Sequence, residues 1–439
     1  MSRAEMPTPD SRTAKMTKWN VIEPLQRNRN FRLLWISNLF FFGGAWTQTL
    51  VLGWLVYTTT ESEFSLALFT AVRLAPLLLG PFGGVLSDRF DRVRLLLVAC
   101  AWTLCAVSTV AMMVSMGAVP FWALVLGGLA IGLAQSPSQP ARSSLVFEMV
   151  GRKNLSHANA LNSMAMNMTQ VIGPALGGGM ISAFGAPATL WISTGWYAIS
   201  LVALLPLRSM PQTRQAHVES AISMLRGGFR LVLSSRLTRS VLLVTLAANV
   251  LIWPVYQAFV PVFALDVLHL DAAGLGWLLT CSGIGGLTGS IIIASLGDFE
   301  FKGGLFVLGT ATWGVLWFLF GLSQHAATSF VLMAAIGVMS ASFGVLQTTL
   351  LLMTTEPDVQ GRALGMQELA IGIMPLSSLV LGAIAEQVGV GRTTQVSGLV
   401  LTAALVILAL RVPELVRYAG TDPQHEHVKT NGAPLVEAS

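Results

Sequence analysis

Ionisable residues are scarce in this chain, and their spacing is where chemistry could lie. Asp88, Arg89 and Arg92 stand together in the run GPFGGVLSDRFDRVR, immediately after a long apolar stretch. Arg142 and Glu148 end a later apolar stretch, and Glu368 sits near the start of another. Asp88 stands where a helix would meet the cytoplasm, and Arg92, Arg142 and Glu148 at the same membrane level could form a charge relay with it that acts as a latch. A second set resembles the first. Asp298 and Lys302 repeat the acid-x-x-x-base spacing of Asp88 and Arg92 at an offset of 210 residues. Gly361-Arg362 repeats Gly151-Arg152 at the same offset.

Arg73 stands apart. It lies fifteen residues before Asp88, about 22 Å along a helix at 1.5 Å per residue. That depth is near the middle of a bilayer, where an arginine marks a cavity or pathway by default. It could attract an anionic group of a solute, reach for the membrane surface, or pair with Glu386. Glu368 could carry a proton, or belong to the same latch as Asp88 and Arg92. Trp46, Gln48, Asn162, Asn167, Gln170, Trp253, Tyr256 and Gln257 are polar or aromatic residues on apolar stretches. They could line a cavity or bond helix to helix. Gly173, Pro174, Gly177 and Gly178 suit close helix packing.

These residues need elements to hold them. The chain has 439 residues, 54% hydrophobic and 11% charged. Soluble domains carry about 25% charged residues, so lipid must be the solvent for much of this surface. A spanning helix takes roughly 20 apolar residues. The candidate spans are 33–57, 64–86, 95–117, 121–141, 158–184 and 188–207, then 241–265, 275–296, 304–323, 329–353, 366–387 and 396–410. The expected fold is an all-α integral membrane protein, with twelve transmembrane helices in two six-helix halves related by an internal repeat. Its parts are an arm at 1–32, one half at 33–207, a linker at 208–240, a second half at 241–410 and a tail at 411–439. Residues 221–237 alternate apolar and basic residues as a surface helix does. Breaks are expected at Pro137, Pro140 and Pro174. The first apolar run is too long for the core of a cleavable leader, so an uncleaved insertion signal is expected.

With the N-terminus in the cytoplasm, 24 of the 26 Lys and Arg residues fall on the cytoplasmic side. This bias orients both termini inward, in a cell inner membrane. It also removes nucleic acid as a partner, because the charges mark helix ends facing anionic lipid. Cys100, Cys105 and Cys281 lie in apolar runs and form no disulfide framework. His425 and His427 belong to a polar tail, and no metal site is expected. The five lysines include none in a Gly-x-x-x-x-Gly-Lys-Ser/Thr loop, and no His-Glu-x-x-His or Gly-x-Ser-x-Gly constellation appears. An ATP-driven pump and a membrane enzyme are therefore disfavoured. A non-transporting receptor remains an alternative.

The loop run Gly80–Arg94 resembles the signature loop of the major facilitator superfamily, with Gly84, Asp88, Arg89, Arg92 and a shifted Arg94. The run VIGPALGG, 171–178, looks like the Gly-Pro signature of antiporters in that superfamily. RNRNFRLLW, WTQTLVLGWLVY, PARSSLVFEMV, ANALNS and DVLHLDAAGLGWLL resemble its enterobactin-exporter and macrolide-efflux branch. The resemblance implies a cytoplasmic gate of Asp88, Arg89, Arg92, Arg142 and Glu148, with Asp298, Lys302 and Arg362 as second-half equivalents. Phe299 replaces the second-position arginine in that second loop, which weakens it. The resemblance implies export of an amphipathic small molecule such as a siderophore, a macrolide or another drug. Transport would be by a monomer with no cofactor, driven by proton antiport. Import of a small metabolite is the alternative.

Overall fold

The computed structural model describes residues 23–79, 90–117, 119–207, 235–297, 299–356 and 359–419, without the side chains of 23, 24, 79, 140, 147, 151–157, 159 and 160. Asp88, Arg89, Asp298, the arm up to residue 22, most of the linker and the tail from residue 420 lie outside the described residues. What is described is helical. The elements are α1 (Glu23–Arg27), α2 (Arg29–Thr60), α3 (Glu63–Leu74), α4 (Arg92–Ser115), α5 (Phe121–Leu204), α6 (Arg236–Leu251), α7 (Ala272–Ser295), α8 (Lys302–Leu322), α9 (Ala326–Met353), α10 (Gln360–Gly372), α11 (Met374–Val388), α12 (Val390–Arg411) and α13 (Pro413–Val416). Among the described residues, ten helical stretches are long and apolar enough to cross a membrane.

Helix is the only form that satisfies its own backbone within one lipid-exposed segment short of a closed barrel. Hydroxyls inside the helices follow the same rule. Thr103 donates to the Ala99 carbonyl at 2.8 Å and Thr310 to that of Phe306 at 2.5 Å, each one turn back. The outer faces carry Val98, Trp102, Ile291, Val331 and Leu410, all more than half exposed. In water such a surface would aggregate; in lipid it is solvated. α2 is the most enclosed of the long helices, with 72% of its most apolar window buried against 33% for α12.

The stretch Phe121–Leu204 is not one rod. At 1.5 Å per residue it would exceed 120 Å. A Cβ at Gly43 would meet both Thr169 and Trp196 within 4 Å, so the chain reverses between them. Gly185 provides the corner with φ +78, which glycine adopts without steric cost. Arg142 and Asn162 both bond to Asn38, so a second reversal falls between them.

Proline acts elsewhere than expected. Pro137, Pro140 and Pro174 sit within continuous helical backbone. The interruptions fall at other prolines. Beyond α3, the apolar run tightens into a 3₁₀ turn at Ala75–Leu79, where Pro76 lacks an amide hydrogen. After α6 the helical path continues to Val267 through two wide π turns, Val255–Phe259 and Phe263–Val267, each preceded within two residues by Pro254 or Pro261. The run at 366–387 divides at Ile373, two residues before Pro375.

The N-terminal helices (23–207) meet the C-terminal helices (235–419) along two seams. In one, α5 and α7 touch backbone to backbone. A Cβ on Gly178 would lie 2.9 Å from the Gly276 Cα, and one on Gly276 would lie 2.6 Å from the Pro174 carbonyl oxygen. In the other, α3 packs on α11 with Gly382 against Ala67.

Candidate functional site

Between these seams lies a cavity of about 400 Å³. Trp46, Ser163, Asn167 and Gln170 face it from the N-terminal helices, and Trp253, Tyr256, Ser282, Ser290, Trp313 and Ser340 from the C-terminal ones. Its size falls in the range of drug-binding pockets, about 300–1,000 Å³. Its aromatic wall is a chain of edge-on contacts: Trp253 meets Tyr256 at 5.8 Å and Trp313 at 5.9 Å, and Tyr256 meets Trp317 at 6.4 Å. Edge-to-face pairs of this kind are mutually favourable, so the rings are held in place. Small residues of α7 and α9, Gly283, Gly286, Ala341 and Gly344, also line it and leave room. The wall is therefore apolar and rigid, with hydroxyls and amides placed around it.

A smaller chamber of about 30 Å³ adjoins it and shares Trp46 and Tyr256 as walls. Arg73 and Gln257 line this chamber. Arg73 is 7% exposed, so it does not reach the membrane surface. Its Nη1 donates to Thr49 Oγ1 at 2.9 Å and its Nη2 to Gln257 Oε1 at 3.4 Å. No carboxylate pairs with it among the described residues. The pairing with Glu386 does not occur, because Glu386 accepts from the Ser62 hydroxyl at 3.1 Å and the Phe64 amide at 3.0 Å, near the start of α3.

The remaining candidates separate into groups. Gln48 is buried within the N-terminal helices and donates to Ser193 at 3.0 Å, while Asn162 accepts from Asn38 at 2.6 Å. Neither lines the two cavities. A Cβ on Gly173 would lie 2.8 Å from that of Trp46, and one on Gly177 3.3 Å from the Thr47 methyl, so both glycines let α2 and α5 approach.

Arg92 and Glu148 form an ion pair, both about one-fifth exposed. The Asn28 side chain donates to the Met149 carbonyl at 2.6 Å beside them. Arg142 is not drawn into this pair. It is 1% exposed and donates to Ser37, Asn38 and Cys100, with its guanidinium 4.5 Å over the Phe41 ring. Sequence reasoning put it at the gate by its position next to Glu148. Six residues turn a helix by about 240°, which points the two side chains to different faces. Lys302 donates to the Ala419 carbonyl at 3.0 Å and lies 5.6 Å from the Phe299 ring. Arg362 is half-buried in the first turn of α10. Glu368 lies four residues before Gly372 and shares its helix face. A Cβ on Gly372 would lie 3.4 Å from the Leu77 carbonyl, so this face turns toward the N-terminal helices.

At the end of the bundle away from Arg92 and Arg236, several bonds join the N-terminal and C-terminal helices. The Tyr57 hydroxyl donates to Asp266, Ser182 donates to Asp271 at 3.2 Å and accepts from the Ala273 amide at 3.1 Å, and Glu386 holds the start of α3. Sequence reasoning missed these bonds and named only Glu386, with a different partner. Their one available signal was the set of acidic residues Glu61, Glu63, Asp266, Asp271 and Glu386 at the ends of apolar runs.

A helical membrane protein with a closed end, two seams and an amphipathic central cavity has the build of a solute transporter. The chain belongs to the transmembrane secretion effector family of the major facilitator superfamily, whose family model matches residues 20–434. It is similar to the enterobactin exporter EntS of Shigella flexneri, 28% identical over 78% of this chain and 81% of the relative. It is also similar to the multidrug efflux pump Tap of Mycolicibacterium fortuitum, 26% identical over 77% and 85% respectively. The staphyloferrin A transporter of Staphylococcus aureus is 22% identical over 83% and 91%. In fold it matches a POT family transporter solved with 5-aminolevulinic acid, with a TM-score of 0.72 at 12% identity, covering 88% of this chain and 97% of that one. The nucleoside transporter NupG matches with a TM-score of 0.67 at 15% identity, over 89% and 99%. The protein is thus a multi-pass membrane transporter.

Proposed function

We propose that this transporter exports an amphipathic small molecule by alternating access, using the 400 Å³ cavity as its carrying site. That cavity is the observation that carries the reading. It lies between the N-terminal and C-terminal helices and is lined by both, so rocking one set against the other exposes it to either side. Its aromatic wall suits a flat apolar body, and its hydroxyls and amides suit scattered polar groups. Drug-like or siderophore-like solutes have that character, and two of the named relatives are an enterobactin exporter and a multidrug efflux pump.

In this reading the chain crosses the inner membrane twelve times in two six-helix halves. The ten long stretches are joined by a pass ending at Leu79 and by the extra reversal at Gly185. Both termini are cytoplasmic, since the basic residues gather at one end. The bonds of Tyr57, Ser182 and Glu386 then close the periplasmic end, which is the state that loads from the cytoplasm. Arg92 and Glu148, together with Asp88, Arg89, Asp298, Lys302 and Arg362, form the cytoplasmic latch. Arg142 belongs to that gate as a buried support, bonded to Ser37 and Asn38 within the N-terminal helices. Arg73, Glu368, Trp46, Gln170, Tyr256 and Gln257 belong to the solute or proton pathway, with Gln48 and Asn162 supporting it. Proton antiport supplies the driving force, and the protein works as a monomer in lipid without a cofactor.

The test is accumulation of candidate solutes in cells with and without the gene, beside Tyr256→Ala cells. Lower accumulation in wild-type cells alone supports export. Higher accumulation in them means import and overturns the direction.

A further inference from the structure

The Arg73 chamber carries more than a general pathway role. A guanidinium has five N–H donors in a planar fork. Here Nη1 is engaged by Thr49, Nη2 is held by Gln257 at a long 3.4 Å, and Nε has no hydrogen-bond partner although the residue is 93% buried by its 7% exposure. Nε and Nη2 form one edge of the fork, the edge that takes a carboxylate through two parallel bonds. That edge is therefore the under-used one. The chamber beside it, about 30 Å³, is large enough for small polar atoms, since one water needs roughly 10–15 Å³. Its walls toward the main cavity are Trp46 and Tyr256. A buried cation with neither an acid nor a full set of acceptors is costly to maintain in a membrane, and an incoming anion would offset that cost.

We propose that Arg73 reads a carboxylate on the transported solute. The solute's apolar body lies against Trp46, Trp253 and Tyr256 in the main cavity. Its carboxylate passes between Trp46 and Tyr256 and takes the Nε–Nη2 edge of Arg73, displacing Gln257. Gln257 lies on the first π turn of the C-terminal helices, so its release removes a bond between the two sets of helices as the solute arrives. The preferred substrate class is an aromatic or apolar monocarboxylate, and binding loosens the seam. This inference rests on the cavity being the carrying site.

The test uses the full purified chain in detergent, with tryptophan quenching by 2-naphthoate and by its neutral match 2-naphthamide. The acid is expected to bind wild type at least ~10-fold more tightly than the amide, a factor equal to 1.4 kcal/mol. Arg73→Gln should bring that ratio to about one, and Arg73→Lys should leave it between, since lysine keeps the charge but not the two-bond edge. Equal binding of acid and amide by wild type, or no binding of either, overturns the proposal without any variant being needed. A ratio that survives in Arg73→Gln also overturns it. Solute export in cells with no acid preference in vitro would remove this inference and leave the transport reading. Acid preference with no flux would do the reverse.

Discussion

Gly178→Val is the sharpest perturbation of the seam that closes the end opposite Arg92. A Cβ there would lie 2.9 Å from the Gly276 Cα and closer still to the Ala272 carbonyl oxygen. Both obstacles are backbone, so no side chain can rotate away. Ordinary contact needs 3.4–4 Å, and α5 and α7 must separate by half an ångström or more before the valine methyls are counted. Overpacking of this kind costs about 1–3 kcal/mol. The strain exists only while the seam is shut, so it shifts the closed-to-open equilibrium by roughly 5–150-fold. Gly179→Val is the matched control, because a Cβ at Gly179 meets nothing within 4 Å. Spin labels at Ala183 and Gln387, exposed positions of the N-terminal and C-terminal helices near that end, report the separation by electron–electron resonance. Gly178→Val should move the distance distribution to longer values while Gly179→Val leaves it in place. Identical distributions in all three proteins would refute the packing argument.

Other perturbations follow from the same geometry. Trp46→Ala and Tyr256→Ala each remove a wall shared by both chambers, and ligand quenching should weaken by about 10-fold or more, as for a lost aromatic anchor. Glu148→Gln and Arg92→Gln should each lower the thermal midpoint in detergent, with the double variant less unstable than the sum. Additive losses would mean the pair is not coupled. Arg142→Ala should destabilise the N-terminal helices by about 2–4 kcal/mol, because it empties a buried site and strands Asn38; an unchanged melting curve would contradict the burial of that guanidinium. Glu63, ahead of the apolar run at the start of α3, has its carboxyl pushed up by burial and then by the nearby Glu386. A raised carboxyl favours the closed end at low pH and loses that contribution as pH rises through its pKa. The Ala183–Gln387 distance should lengthen with rising pH in wild type and not in Glu63→Gln.

The sequence was legible where physics acts along one helix. Twelve apolar runs marked the membrane-crossing character, and Trp46, Gln170 and Tyr256 were picked out because polar and aromatic groups in apolar runs need a place to go. Arg73 also stood out as the one ionisable residue of its apolar run, and the structure buries it beside the cavity. What could not be read were contacts fixed by rotation about a helix axis. Gln48 and Asn162 looked like cavity residues, yet both bond inside the N-terminal helices. Arg142 looked like a gate residue from its position beside Glu148, yet it faces Phe41 and Cys100. Proline gave the possibility of a break but not its site. Pro174 stays within helix, its carbonyl close against Gly276 of α7, while Pro254 and Pro261 stand at wide turns beside the cavity. The closing bonds of Tyr57, Ser182 and Glu386 join residues as many as 324 apart in the chain, a separation over which spacing carries no information.

The most direct measurement of the central claim is flux in proteoliposomes reconstituted with the purified chain and an imposed pH gradient. A solute found by the accumulation assay should move against its own gradient when protons move the other way. Tyr256→Ala vesicles should show that flux much reduced. Flux that ignores the pH gradient would contradict proton antiport, and vesicles that move no solute at all, with wild type correctly folded, would contradict carriage through this cavity.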